Sequence, residues 1–488
     1  MFLSLLFCLS AFAADLKLGE LEPKLDAFVK DFQPVENTGI AVGVVKDGEL
    51  VFFKGYGYRD REKKLPVTEH TVFAIGSATK TFVSTSLAML QEEGRVDFNA
   101  PIRNYLPGFA LISADATSQA NLNDLLSHQV GLPRHDLLWY LTPFSTPDLF
   151  SKLKYLEMDK NPGMGFRSGK MQYNNLMFMT AGIVLEKMSG QSWQQFVADR
   201  LLRPLGMKET SFTVTGFDRE DAALPYAKET LLPYKGLDSV SAAGSINSTV
   251  SDLAKWVSFH LNAGQGLMKP ASLAQLSVRR SDASNPERGM DLGYGLGMML
   301  TAVGDKVVSY HGGNIDGFSA FVSFLPEAGL GVIVLVNQNG AANFQYPMAV
   351  KQGDQTIALF PRIIYDHFLG LPAKPALGSL DDLRETFADL RLPELSMPPA
   401  SQVFGLIGAA SGGNLTHPAY GTISLVNDFE GNLSLNYYGN IFPLAATGEA
   451  GKYESSGMPV EIEREGERLM AISVGFEPAV KPIRFVAQ

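Results

Sequence analysis

Ser77-Ala78-Thr79-Lys80 places a hydroxyl and an amine three residues apart, where an extended apolar run gives way to a helical pattern. The run Phe73-Ala74-Ile75 stops at Gly76. Val83, Leu87 and Leu90 then recur at i, i+4 and i+7, and Gly94 supplies a helix stop. Residues at i and i+3 share a helix face, so the Lys80 amine can point at the Ser77 oxygen. A serine hydroxyl is a poor nucleophile until a neighbour takes its proton, and a lysine does this only where burial disfavours its charged form. A helix start also offers free backbone N–H groups and positive potential to an oxygen that gains negative charge. The same spacing recurs at Ser151-Lys152-Leu153-Lys154, among Asp148 and further lysines, which reads as a solvated helix face. Ser77 instead sits in an apolar frame with no Asp, Glu, Lys or Arg between Glu69 and Lys80. That frame predicts a buried Lys80, and lysines are seldom buried without a purpose.

Two further clusters fit the same chemistry. Tyr173-Asn174-Asn175 precedes a helical apolar stretch, Leu176 to Met188, and follows the loop Pro162-Gly163-Met164-Gly165. At such a junction Tyr173 and Asn175 can both face one cleft. Tyr173 beside Lys80 would carry protons, and Asn175 would hydrogen-bond Lys80 and a substrate amide. Y-x-N also occurs at Tyr438-Gly439-Asn440, so the pattern alone is weak. His311-Gly312-Gly313-Asn314 follows a strand predicted to end at Tyr310. Its glycines let backbone approach a ligand closely, so the Asn314 N–H could face a bound carbonyl; the competing reading is a glycine turn with an exposed histidine. No G-x-S-x-G elbow, H-E-x-x-H, C-x-x-C or Walker A pattern is present, and the seven histidines are scattered, so no metal or other cofactor is expected. His128 reads as a buried structural residue, whereas His135, His260 and His367 have no evident partner in the sequence.

The elements that must position these groups fall into two textures. Gly39 to Val45 and Glu49 to Tyr58 are β-rich and joined by Lys46-Asp47-Gly48, a hairpin signal. Lys306 to Tyr310, Gly317 to Leu325 and Leu330 to Asn337 form a later β-rich block, followed by a helix from about Gln355 to Phe368. The simplest arrangement is one antiparallel sheet that pairs the early hairpin with the late strands. Helices would flank both faces, and a helical insertion would lie between the two strand blocks. Gly370-Leu371-Pro372-Ala373-Lys374-Pro375 reads as a domain exit. Beyond about Val403, short alternating strands (Gly421 to Val426, Asn432 to Tyr438, Pro459 to Arg464, Arg468 to Val474, Ile483 to Val486) predict a small barrel or sandwich.

Bulk properties narrow the partners. With a net charge of −10 and no dense Lys/Arg patch, nucleic acid is not expected as a partner. No apolar run approaches the roughly eighteen residues of a membrane span. Residues 1–13 read as an export signal, with Leu3 to Leu9 as its apolar core and Ala11-Phe12-Ala13 as its cleavage site, although its start carries no Lys or Arg. The single cysteine, Cys8, lies inside it, so a mature chain would have no thiol chemistry. The expected location is periplasmic or secreted.

Taken in order, Ser77/Lys80, Tyr173/Asn175 and His311 resemble the serine β-lactamase and penicillin-binding-protein superfamily, where S-x-x-K, Y-x-N and a K-T-G-like triplet line one cleft. The chain is most similar to the class C-type, peptidase family S12-like branch: D-aminopeptidases, family VIII-type esterases, D-alanyl-D-alanine carboxypeptidases and LACTB-like proteases. Leu125 to Pro133, Arg203 to Met207, Ser248 to Leu253 and Tyr294 to Gly297 add to the likeness. The resemblance implies an α/β (α+β) β-lactamase/transpeptidase-like domain over residues 21–370, a linker at 371–402 and a lipocalin-like β-domain over 403–488. It also implies that Ser77 is acylated, that Lys80 and Tyr173 share the proton transfers, and that Asn175 holds Lys80 and substrate. Which of Lys80 and Tyr173 is the base stays open. His311 would replace the triplet's lysine, with Gly313 beside it, and the Ser77 and Asn314 N–H groups would form the oxyanion hole. A neutral histidine binds a carboxylate less well than lysine, so ester or D-amino-acid peptide cleavage is expected ahead of β-lactam hydrolysis or D-alanyl-D-alanine carboxypeptidase activity. The substrate would be a small molecule or peptide, and no oligomeric state follows. The rival from another class is a catalytically silent protein that holds cell-wall fragments. A third expectation is that the C-terminal domain gates the cleft or mediates assembly.

Overall fold

Three mostly apolar, buried strands form the centre of the first sheet. In the computed structural model β1 (Ile40–Lys46) and β2 (Glu49–Tyr56) form the early hairpin. The later strands are β3 (Asp291–Tyr294), β4 (Met299–Val303), β5 (Lys306–Ile315), β6 (Phe318–Leu325) and β7 (Leu330–Val336). The structure describes residues 18–30, 37–213, 220–283, 291–339, 351–371, 414–427, 432–455 and 457–487. The proposed export signal, residues 1–13, and the proposed linker from residue 372 lie outside them. The sheet runs β2-β1-β7-β6-β5-β4-β3, all antiparallel, so the hairpin joins the late strands as expected. Every residue of β6 and β7 is buried, and β1 is buried up to Lys46, because both faces of the sheet are covered.

Alternation decides which side chains go where. Val42, Val44, Val332 and Val334 share a core with Leu21 and Leu25 of helix α1 (residues 18–30) and Phe360 and Ile364 of the helix Lys351–Leu369. On the other face, helix Val250–Leu261 stacks His260 on Phe324 of β6, with ring centroids 4.0 Å apart. His260 therefore has a packing role that its sequence position did not reveal. His367 likewise lies 2.9 Å from the Lys24 amine.

The chain divides into two compact units. One comprises the described residues of Met1–Asp97, Leu185–Gly236 and Ser241–Asp389; the other comprises those of Phe98–Val184, Leu237–Val240 and Leu390–Gln488. The second unit joins the helical segment that ends in the Tyr173 loop to the C-terminal strands. Those strands are β8 (Leu415–His417), β9 (Gly421–Asn427), β10 (Leu433–Tyr437), β11 (Asn440–Pro443), β12 (Ala445–Ala446), β13 (Lys452–Ser455), β14 (Met458–Glu465), β15 (Arg468–Val474) and β16 (Ile483–Ala487). They form a nearly closed, barrel-shaped sheet in the order β11-β10-β9-β8-β16-β15-β14-β13-β12. Its core is aromatic: Tyr420, Tyr437, Phe442, Phe476 and Phe485 are all buried. The fold is thus of the mixed α/β class expected, an antiparallel sheet flanked by helices, with an all-β C-terminal sheet. Among the described residues no helix is long and apolar enough to cross a membrane.

Candidate active site

Gly76–Ala78 form a single 3-10 turn that runs into helix α2, Thr79–Glu92. Gly76 takes φ +50°, a conformation that costs a side-chain-bearing residue energy, and this turns the chain from the Phe73–Ala74 strand into the helix. The Lys80 side chain is 0% exposed. Its Nζ donates to Ser77 Oγ at 3.0 Å and to the Ala243 carbonyl at 2.7 Å. The segment carrying Ala243 is itself tied to the helix start. The Ile246 N–H donates to Thr79 Oγ1 and the Ile75 N–H donates to the Ile246 carbonyl, both at 3.0 Å.

Strand β5 runs through His311-Gly312-Gly313-Asn314 instead of ending at Tyr310. The ladder to β6 continues, with His311 opposite Val322, Gly313 opposite Ala320 and Asn314 opposite Ser319. The glycines do not open a turn, because each is paired. They admit the neighbouring backbone instead: a Cβ on Gly313 would overlap the Ile75 carbonyl oxygen and lie 3.0 Å from the Ser77 nitrogen. A Cβ on Gly76 would lie 2.9 Å from the Asn314 nitrogen. The two amides proposed for the oxyanion hole thus flank one close backbone approach. Asn314 Oδ1 accepts from Ser319 Oγ at 2.7 Å and from Asn339 Nδ2 at 3.2 Å.

His311 is buried, not exposed in a turn. Its Nδ1 lies 2.6 Å from the Gly312 carbonyl, which can only accept, so Nδ1 carries the hydrogen. Nε2 then accepts from the Tyr294 hydroxyl at 2.9 Å. Burial, followed by the nearby positive charge of Lys80, holds the imidazole down to about 3, so it is neutral near pH 7. Tyr294, at the end of β3, is the histidine's partner; in the sequence it stood out only within the Tyr294 to Gly297 stretch that added to the family likeness.

The second unit carries Tyr173 and Asn175. Helix α3 (Asn175–Ser189) begins where Asn174 Oδ1 accepts from the Met177 N–H at 3.1 Å, a side-chain cap. Asn174 also receives the rest of the junction: its N–H donates to His128 Nδ1 and its Nδ2 to the Leu132 and Pro133 carbonyls. The buried His128 ring packs against Tyr173 at 4.3 Å between centroids, which makes this structural histidine a neighbour of the candidate phenol. The Arg134 guanidinium lies 4.9 Å from the Tyr173 ring centroid. Asn175 Nδ2 donates to Asp136 Oδ1 at 3.1 Å, and Asp136 also accepts from Trp139 Nε1 and Arg134 Nε. Sequence reasoning missed Arg134 and Asp136. Their signal was proximity to Leu125 to Pro133, since Arg134 follows it directly and Asp136 lies two residues further on. Ser77, Lys80, His311, Gly313 and Asn314 thus share the first unit, and Tyr173 and Asn175 the second. The second Y-x-N, at Tyr438, is a turn in which Asn440 Nδ2 donates to the Tyr437 carbonyl.

Comparison with known proteins bears on this arrangement. A family model described as Beta-lactamase matches residues 26–353. The chain is 27% identical over 421 residues to an "Unguisins hydrolase ungD'" of Aspergillus campestris, spanning 81% of this chain and 76% of that one. It is 26% identical over 327 residues to "Protein flp" of Staphylococcus aureus, and this match spans 65% of the chain and 63% of flp. Among solved structures, the octameric penicillin-binding protein homologue of Pyrococcus abyssi superposes with a TM-score of 0.61 at 21% identity, covering 96% of this chain and 99% of that one. A D-amino acid amidase of Ochrobactrum anthropi SV3 superposes at 0.59 and 21% identity over 71% of this chain and 99% of its own.

Proposed function

This chain belongs to the beta-lactamase family, whose members are generally serine hydrolases, and on that premise we propose that it cleaves ester or peptide-like amide bonds through an acyl-enzyme on Ser77. One observation carries the reading: a fully buried Lys80 amine 3.0 Å from the Ser77 hydroxyl. With the amine neutral, that same contact reversed lets the serine proton pass to nitrogen as Oγ attacks the substrate carbonyl. The developing oxyanion would be held by the Ser77 and Asn314 N–H groups. The leaving nitrogen or oxygen then takes a proton, and water attacks the resulting ester to release acid and free Ser77. Lys80 and Tyr173 share these transfers, and Asn175 orients substrate.

The neutral, internally bonded His311 weighs against a site built to hold a substrate carboxylate, and so against efficient β-lactam or D-alanyl-D-alanine carboxypeptidase turnover. The relative named as an unguisins hydrolase, and a fold shared with a protein named D-amino acid amidase, support amide substrates, with D-amino-acid amides first among them. We place the mature protein outside the cytoplasm, in the periplasm or secreted, on the composition of residues 1–13. The test is Ser77→Ala against wild type with a chromogenic ester, D-amino-acid amides and a fluorophosphonate or penicillin probe. Turnover and covalent labelling are expected to vanish; labelling that persists would overturn the assignment.

A further inference from the structure

The second unit ties the C-terminal sheet to the loop that carries Arg134 and Asp136. The turn between β15 and β16 presents Glu477, whose Oε2 accepts from the His135 N–H at 2.9 Å and whose Oε1 accepts from the Ala479 N–H at 3.1 Å. The His135 ring is held at both ends. Nε2 lies 3.0 Å from the Glu157 carbonyl, so it donates there, and Nδ1 accepts from the Tyr420 hydroxyl at 2.7 Å. Tyr420 is anchored in the aromatic core of the sheet, stacked on Phe476.

His135 needs this support. Its φ is +46°, in the left-handed region that disfavours a residue with a Cβ. Such a conformation persists only where its surroundings over-determine it. Here two of its bonds come from the C-terminal sheet. Its chain neighbours are the residues that touch the candidate site: Arg134 lies against the Tyr173 ring, and Asp136 holds Asn175. A second route runs beside the first. The Pro478 and Ala479 carbonyls accept from Lys160 Nζ at 2.7 Å and Lys160 N at 3.0 Å. The adjoining Asp159 accepts from the side-chain amide of Gln172, the residue before Tyr173.

We propose that the Glu477–Ala479 turn and Tyr420 are positioning elements for Tyr173 and Asn175, so that the C-terminal sheet is part of the catalytic apparatus and not an appended module. The inference rests on the reading above in which Tyr173 and Asn175 serve Ser77. It predicts a defect in the chemical step more than in substrate affinity, because a small displacement of a catalytic group can cost up to about 100-fold in rate.

The experiment compares the full-length wild type with Glu477→Ala, Glu477→Gln and Tyr420→Phe. It measures kcat and KM on a chromogenic ester, the rate of acylation by a fluorophosphonate probe, and melting temperature. Glu477→Ala should lose about tenfold or more in kcat and in acylation rate, with KM changed less than about threefold. Glu477→Gln keeps one acceptor oxygen and should recover part of that rate. Tyr420→Phe, which removes only the hydroxyl, should fall between Gln and wild type while melting close to it. Wild-type kcat in Glu477→Gln and Tyr420→Phe would overturn the proposal, including where Glu477→Ala fails to fold. So would losses accounted for entirely by KM or by fewer titratable active sites. No acylation of the wild type by any probe would sink the serine-hydrolase reading first, and this inference with it.

Discussion

Ser77–Lys80 and Ser151–Lys154 have the same spacing and opposite surroundings. At the first, the lysine is fully buried and its amine meets the serine oxygen at 3.0 Å. At the second, Ser151 and Lys154 are exposed, the Ser151 hydroxyl donates to the Asp148 carbonyl at 2.7 Å, and the Lys154 amine lies 5.0 Å from the Tyr155 ring centroid. The helix face brings i and i+3 near each other in both cases, but only burial makes the contact consequential. In water an ammonium gains little by leaving its solvent for a hydroxyl, whereas inside the protein few other partners are within reach. The second difference is backbone: Gly76 and Gly313 let a strand lie against the serine amide at the first site.

The comparison breaks most sharply at the lysines. Lys80→Met should lower kcat/KM by roughly 10²–10⁴-fold, the range for removing a positioned proton carrier, while Lys154→Met should leave it within about twofold. Equal effects at the two positions would erase the distinction drawn above; steady-state kinetics on one ester substrate is enough to see it. Gly313→Ala tests the backbone approach. The added methyl meets the Ile75 carbonyl, and overpacking of this kind costs roughly 1–3 kcal/mol. A lower denaturation midpoint and slower probe acylation are both expected; a variant with wild-type values of each would show that the strand and the serine turn can part freely.

Acid should act through the buried imidazoles. His311 and His260 are held down to about 3 and His135 to about 4, in each case chiefly by burial. Their folded values lie below the ordinary 6.5, so the unfolded chain takes up these protons first. Stability is therefore full above about pH 6.5 and falls as pH drops toward 3–4, by on the order of 1 kcal/mol per histidine for each pH unit. Denaturant titrations at stepped pH read this directly, and a flat response from pH 7 to 5 would contradict it. The smallest effect is expected at Tyr294→Phe, which removes one hydroxyl from His311 and should cost about 1 kcal/mol. Such a loss, with ester turnover preserved, would mark the tyrosine as a support for a neutral histidine; a collapse in turnover would give it a larger part.

Much of the fold was legible because its signals are local. The hairpin, the helix that follows Ser77 and the helix that follows Tyr173 all appear where hydrophobic period and turn residues put them. The longer C-terminal strands were found, whereas Leu415–His417, Asn440–Pro443, Ala445–Ala446 and Lys452–Ser455 were not, being too short to show a period of two. His311-Gly312-Gly313-Asn314 was read as lying beyond the strand because paired glycines look like turn glycines until their partner strand is known.

The sequence by itself determined the reactive pair, since a helical turn sets the geometry of residues three apart and an apolar frame announces burial. Tertiary structure decided what surrounds that pair. The Lys80 amine is shared with a backbone carbonyl 163 residues away, and a carbonyl has the same chemistry at every position, so no residue type advertises it. The His135 amide meets Glu477 across 342 residues. A lone glutamate in a C-terminal turn carries no mark of the loop it braces, because its role lies in a distance that exists only once the chain has folded.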